Sequence, residues 1–233
     1  MTEKTKRILM TLGGVTICGF SVGMFSFSAF GMDPFQVLAH GIWKFTPLGF
    51  GLLYMIINLI MLLVVFLVDR HKIGLGTFMN IFLVGYLVQF SSWLYEMLIP
   101  NPSILVKALF LIFGVVIMCF GSALYFTGDL GVSTYDAVAL ILTEKKVAKF
   151  QYCRVGTDLI CTLAGGLLLY FKTGMGVFTI LGIGTIVTAF FMGPLIAFFN
   201  HHAALPLRYG KVRAAELAAL EKDKKDKSKA AVS

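Results

Sequence analysis

The sequence predicts an all-α polytopic membrane protein: six transmembrane helices, read as two inverted three-helix repeats, each with one short broken helix. Three observations predict it. The chain is 58% hydrophobic and only 14% charged, where soluble domains carry about a quarter charged residues. Six apolar stretches are each long enough to cross about 30 Å of hydrocarbon. The same kind of helix break occurs twice, a hundred positions apart, at GMDPFQV (31–37) and GVSTYDA (131–137).

The six spans fall at approximately 8–30, 48–68, 73–98, 104–127, 150–170 and 174–199, and the mean hydropathy is +0.86. The first run, from Ile8, is too long for the core of a cleavable signal, and no small-residue cleavage site follows it, so it reads as a span. Two shorter apolar stretches, 33–45 and 133–143, cannot cross. Flanking charges set the direction. Lys4, Lys6 and Arg7 precede span 1, and Arg70 and Lys72 separate spans 2 and 3. Lys145, Lys146, Lys149 and Arg154 gather at the start of span 5, and Arg208, Lys211 and Arg213 follow span 6. The opposite loops hold Lys44, Lys107 and Lys172. The positive-inside rule therefore predicts cytoplasmic N- and C-termini.

Shifting the chain by 100 aligns residues 11–100 with 111–200 without gaps, and divides the membrane region into a first repeat, 1–100, and a second, 101–200. Gly14-Val15 meets Gly114-Val115, Gly31 meets Gly131, and Asn58-Leu59-Ile60 meets Asp158-Leu159-Ile160. Lys72, Gly74, Gly76 and Phe78 meet Lys172, Gly174, Gly176 and Phe178. Each half reads as span, short helix, span, span. Three spans is an odd number, so the second half enters the membrane from the opposite side. The remainder, 201–233, reads as a basic cytoplasmic tail: KVRAAELAALEK as a short amphipathic helix, KDKKDKSKAAVS as disordered. Anionic lipid headgroups account for the net charge of +8 without a nucleic-acid partner.

At each break, Gly31 or Gly131 can end a helix. Asp33 can cap the next one with Pro34 in its first turn, and Ser133 with Asp136 forms a capping box. Bare helix ends are costly in lipid. The short helices are therefore either re-entrant, with their N-termini inside the membrane, or interfacial, where Trp43 and Lys44 suit the headgroup region. Capping alone also explains Asp33, Pro34, Ser133 and Asp136.

An ionisable residue within a span points to function. Asp158 is such a residue in span 5, Asn58 holds its place in span 2, and Arg154 lies one helical turn before Asp158. Gly74 and Gly76, and Gly174 and Gly176, open spans 3 and 6 and read as hinge or close-packing points. The four cysteines read as small packed hydrophobes and the four histidines form no ligand cluster, so neither a metal nor a cofactor is expected. There is no G-x-x-x-x-G-K-[ST], H-E-x-x-H or G-x-S-x-G, and an enzyme is not expected.

The elements GMDPFQV at 31–37 and IGLGTF at 73–78 resemble those of the YczE/YyaS/YitT-type bacterial integral membrane proteins, chiefly the YczE-like branch. The likeness extends over roughly 8–199. Phe35 and Gln36 stand where that family often has Trp and Asp, and Asp136 supplies an acid in the second copy. The resemblance implies a multi-pass protein of the bacterial plasma membrane.

The expected function is small-solute secondary transport by alternating access between the repeats. Asp33, Gln36, Ser133 and Asp136 are the expected contacts at the breaks; Asn58, Asp158 and Arg154 line the path. Helix N-termini favour an anionic group and the acids a cation, so the charge of the solute stays open. The alternative is a non-transporting scaffold that serves an export or biosynthetic partner through its tail. A homodimer is also left open.

Overall fold

The computed structural model describes residues 2–69, 73–145, 147 and 150–210. Six helices among them are long and apolar enough to span. They are α1 (Glu3–Ser28), α3 (Phe50–Asp69), α4 (Leu75–Leu98), α5 (Ile104–Gly128), α7 (Phe150–Thr173) and α8 (Ile183–Phe199). Two short helices, α2 (Pro34–Trp43) and α6 (Thr134–Glu144), interrupt them, and α9 (Leu205–Tyr209) continues α8 through a π turn at Asn200–Ala204.

Local chemistry sets the ends. Thr2 caps α1 and Ser103 caps α5 through side-chain oxygens that accept from Thr5 N and Val106 N. The carboxylate of Asp33 accepts from Gln36 N at 3.2 Å, with Pro34 in the first turn of α2. In α6 the Asp136 amide donates to Ser133 Oγ at 3.0 Å, and that hydroxyl donates to Asp136 Oδ2 at 2.5 Å. The residues that end α1 and α5 are Ala29 and Asp129, both left-handed at φ 54°, and not Gly31 and Gly131 as the sequence suggested. The glycines stand two positions further on, at φ 113° and 102°, where the chain turns back toward the bundle.

α1 and α5 run antiparallel through the centre. Small residues let them approach: a Cβ at Gly14 would stand 2.6 Å from the Gly121 carbonyl oxygen. At one end Arg7 donates to the Gly128 and Asp129 carbonyls and pairs with the Asp129 carboxylate. Arg208 joins them, bonding Glu3 at 3.1 Å and the Thr127 carbonyl at 2.5 Å. Residues 201–209 therefore belong to the bundle, and the tail boundary moves from 201 to 210. The predicted tail helix and disordered stretch at 211–233 lie outside the described residues, as do Arg70, Lys72, Lys146 and Lys149.

The last span differs most from expectation. α7 ends at Thr173, Gly174 adopts φ 57°, and Gly174–Thr179 forms a 3-10 turn. The span opens instead at Gly182-Ile183-Gly184-Thr185. Gly174 and Gly176 are thus not its opening hinge. An ungapped shift paired them with Gly74 and Gly76 by chance of composition, whereas the local geometry of Gly74–Thr77 recurs at Gly182–Thr185. Gly74 N donates to Thr77 Oγ1 at 3.2 Å, and Gly182 N donates to Thr185 Oγ1 at 3.3 Å.

Those two turns receive the two breaks. Gly76 N donates to the Leu130 carbonyl at 2.7 Å, and Thr77 Oγ1 to the Val132 carbonyl at 2.8 Å. Gly184 N donates to the Phe30 carbonyl at 2.7 Å, and Met32 N to the Ile180 carbonyl at 2.8 Å. Backbone groups that a broken helix leaves open are so satisfied within the protein, as an apolar surround demands. From these docking points the chain runs inward. The N-termini of α2 and α6 meet in the middle of the bundle, where the Phe35 and Tyr135 rings stack at 4.9 Å between centroids and 21° between planes. α2 then returns along α7, its Val37-Leu38 backbone against Gly165, and ends where Lys172 lies over the Phe45 ring. The N-termini of both short helices thus lie inside the bundle rather than on its outer surface. Replacing Gly165 by valine should separate α2 from α7, since a Cβ there would stand 2.5 Å from Leu38 Cα. The expected loss is about 1–3 kcal/mol, read as a lower thermal midpoint in detergent.

The outward faces of the spans are apolar. Leu63, Leu67, Leu163, Phe171, Ile104 and Ile183 are all more than half exposed. On a soluble monomer so much contiguous apolar surface would be a liability; on a six-span bundle it is the lipid contact. This is a multi-pass membrane protein.

Candidate functional site

A cavity of about 80 Å³ lies where α2 and α6 meet. Asp33, Gln36, Asn58, Ser133, Asp136 and Arg154, all expected site residues, line it. Asp158 does not. It sits one layer behind, 4% exposed, and reaches the cavity through its partners. The hinge glycines are remote: Gly74 and Gly76 hold the Leu130–Val132 break, and Gly174 and Gly176 lie in the 3-10 turn.

One wall is charged and closed on itself. The Arg154 guanidinium bonds the Asp136 carboxylate through Nη1, and its Nε lies 3.4 Å from Asp158 Oδ1. Tyr135 donates its hydroxyl to Asp158, and the Arg154 guanidinium lies 4.5 Å from the centre of the Tyr135 ring. Ser133 bonds the other oxygen of Asp136. An arginine largely shielded within an apolar bundle is tolerable only with such partners.

The facing wall is neutral apart from one acid. Asn58, 1% exposed, donates Nδ2–H to the Tyr54 carbonyl and accepts from Thr134 Oγ1 at 2.7 Å. Gln36 is 2% exposed and its Oε1 has no partner. Asp33 Oδ1 caps α2, but Oδ2 is buried without a partner. Three carboxylates thus surround one arginine.

Several lining residues were not singled out from sequence. Tyr54, Asn80, Tyr125 and Tyr135 reach the cavity, as do Cys18, Met118 and Met192. Two carried a usable signal. Tyr54 is one helical turn before Asn58, as Arg154 is before Asp158, and Asn80 is a polar residue three positions after Thr77. The cysteines and methionines look like any packed apolar residue.

Residues 5–201 match a family of unknown function, DUF6198. The chain belongs to that family. The match covers both breaks, all but the first two residues of the six spans, and every lining residue of the cavity. An uncharacterized protein of Haemophilus influenzae is 26% identical over 206 residues, 88% of each chain. The uncharacterized membrane protein YczE of Bacillus subtilis is 26% identical over 213 residues, 91% of this chain and 93% of its own. The resemblance carried by residues 31–37 and 73–78 is therefore a true family relationship. No solved structure matches the chain.

Proposed function

We propose that this DUF6198 protein is a small-solute secondary transporter of the bacterial plasma membrane, working by alternating access between two inverted three-helix repeats. The observation that carries the reading is the cavity, a partly enclosed site with charged, polar and apolar lining drawn from matched positions in both halves. Cys18 and Met118, Val22 and Ser122, Phe35 and Tyr135, Gln36 and Asp136, Tyr54 and Arg154 are each a hundred positions apart, and every one lines it. Beyond the 3-10 turn the offset becomes 108, and Val84 and Met192 complete the set. Each half also lends its break to the opening turn of the other half's last span. Transporters of inverted-repeat design place their sites where broken helices meet between the halves.

The halves are not chemically equal. Gln36, Tyr54 and Asn58 are neutral where Asp136, Arg154 and Asp158 are charged. Two conformations that exchange the roles of the halves then differ in how the charged wall is exposed, which is the differential interaction a solute needs to drive the change. With the basic clusters on the cytoplasmic side, both termini face the cytoplasm.

The test is uptake into proteoliposomes, preceded by a thermal-shift screen with a broad metabolite and ion library. A ligand at a hundred times its dissociation constant stabilises the protein by about 2.7 kcal/mol. The expected result is a saturable flux that Asp136→Asn lowers at least about tenfold, or roughly 1.4 kcal/mol in barrier. No stabilising ligand and no flux, together with a co-purifying partner lost on removing 211–233, would establish the scaffold alternative.

A further inference from the structure

We propose that the cavity binds a small organic cation bearing N–H groups, of the methylammonium or guanidinium class, with Asp33 as its anionic partner. This deepens the transport reading and rests on it for a route into the cavity.

The first observation is the pair of unused acceptors. Asp33 and Gln36 both line the cavity, and Asp33 Oδ2 and Gln36 Oε1 are buried and accept no hydrogen bond. Gln36 is 98% shielded. A buried acceptor without a donor is costly, and more so for a carboxylate oxygen. The protein's own cation does not serve them, because Arg154 is held by Asp136 and Asp158. A ligand that brings donors and positive charge satisfies both.

The second observation is the wall around them. Phe35, Tyr54, Tyr125 and Tyr135 line the cavity; Tyr135 is already stacked on Phe35 and covered by Arg154, and Phe35 is set edge-on to Tyr54 at 5.5 Å. Aromatic faces attract organic ammonium and guanidinium groups. Two of the three tyrosine hydroxyls are spent: Tyr125 donates to the Gly76 carbonyl at 3.2 Å, and Tyr135 donates to Asp158. They offer no spare proton to an anion. A bare alkali ion fits poorly too. Asn58 Oδ1 already accepts from Thr134, and much of the remaining wall is Val22, Val84, Met118 and Ile196. Size bounds the ligand. A cavity of about 150 Å³ takes benzene, so 80 Å³ takes roughly three or four non-hydrogen atoms.

The experiment uses the full-length protein in detergent, titrated with methylammonium, trimethylammonium, guanidinium, sodium and acetate at constant ionic strength. Thermal midpoint and isothermal calorimetry are read. The expected result is saturable binding of at least one organic cation, with sodium and acetate inert. Asp33→Asn keeps the cap, since asparagine caps as well as aspartate, and should weaken binding at least tenfold. Phe35→Leu should weaken it several-fold, and serves if Asp33→Asn lowers the ligand-free midpoint. Binding of no organic cation, equal binding of sodium or acetate, or affinity unchanged by both substitutions overturns the proposal. A cation bound in this way but not carried into proteoliposomes leaves the site standing and overturns transport. Flux of an unrelated solute, indifferent to Asp33→Asn, overturns the site and leaves transport standing.

Discussion

Arg154→Met should destabilise the protein by about 3–5 kcal/mol. The side chains of Asp136 and Asp158 are 13% and 5% exposed, and Arg154 is their shared cation. Removing it leaves two carboxylates close together in the middle of an apolar bundle. Their repulsion and desolvation, rather than the lost attraction, dominate the cost. The same logic predicts a rescue. Arg154→Met with Asp136→Asn and Asp158→Asn removes all three charges and should recover most of the loss. Thermal unfolding in detergent measures both. Rescue separates a pairing role from simple packing of the arginine stem, because packing is no better in the triple variant.

Gly31→Ala and Gly131→Ala should each cost about 2–6 kcal/mol. Two independent effects act at each site. The backbone sits at φ 113° and 102°, where an L side chain is strained. The new Cβ would also stand 2.7 Å from Gly182 N in one case and 2.5 Å from Gly74 N in the other. Neither neighbour can withdraw, because each belongs to a turn whose hydrogen bonds hold the opposite half. The matched environments predict matched losses. Gly176→Ala is the control: its Cβ would meet the Thr173 side chain at 3.3 Å, with an expected change within about 0.5 kcal/mol. Midpoints and expression yield in detergent distinguish the three.

The spans and caps were legible because they are local. Twenty apolar residues mark a crossing whatever surrounds them, and S-T-Y-D carries its own capping geometry. The Arg154–Asp158 pair was legible for the same reason, being one helical turn apart. Asp136 is different. Its sequence context encodes a cap and a candidate solute contact; it is a cap, and it also binds Arg154 eighteen positions away. Only the return of α6 along α7 brings the two together, and no periodicity encodes that return. The last span misled because apolar segments rich in glycine give false matches. The recurrence of G-x-G-T at 74–77 and 182–185, with its shared local geometry, needs a shift of 108. The extra length is taken up by the 3-10 turn, which no strong breaker other than glycine announces. The meeting of the two short helices was left open because their composition suits an interface as well as a buried site. The set of backbone bonds from Phe30, Met32, Leu130 and Val132 ties both breaks to the turns that open α4 and α8.

The measurement that tests alternating access most directly is thiol accessibility at Cys18, which lines the cavity. All four cysteines are buried in this conformation, so Cys119, Cys153 and Cys161 are replaced by alanine to leave Cys18 as the reporter. A membrane-impermeant thiol reagent is then applied to right-side-out and to inside-out vesicles. Transport through this cavity predicts modification of Cys18 from both sides, slowed from both sides by a bound solute. Modification from one side only, or from neither, contradicts it.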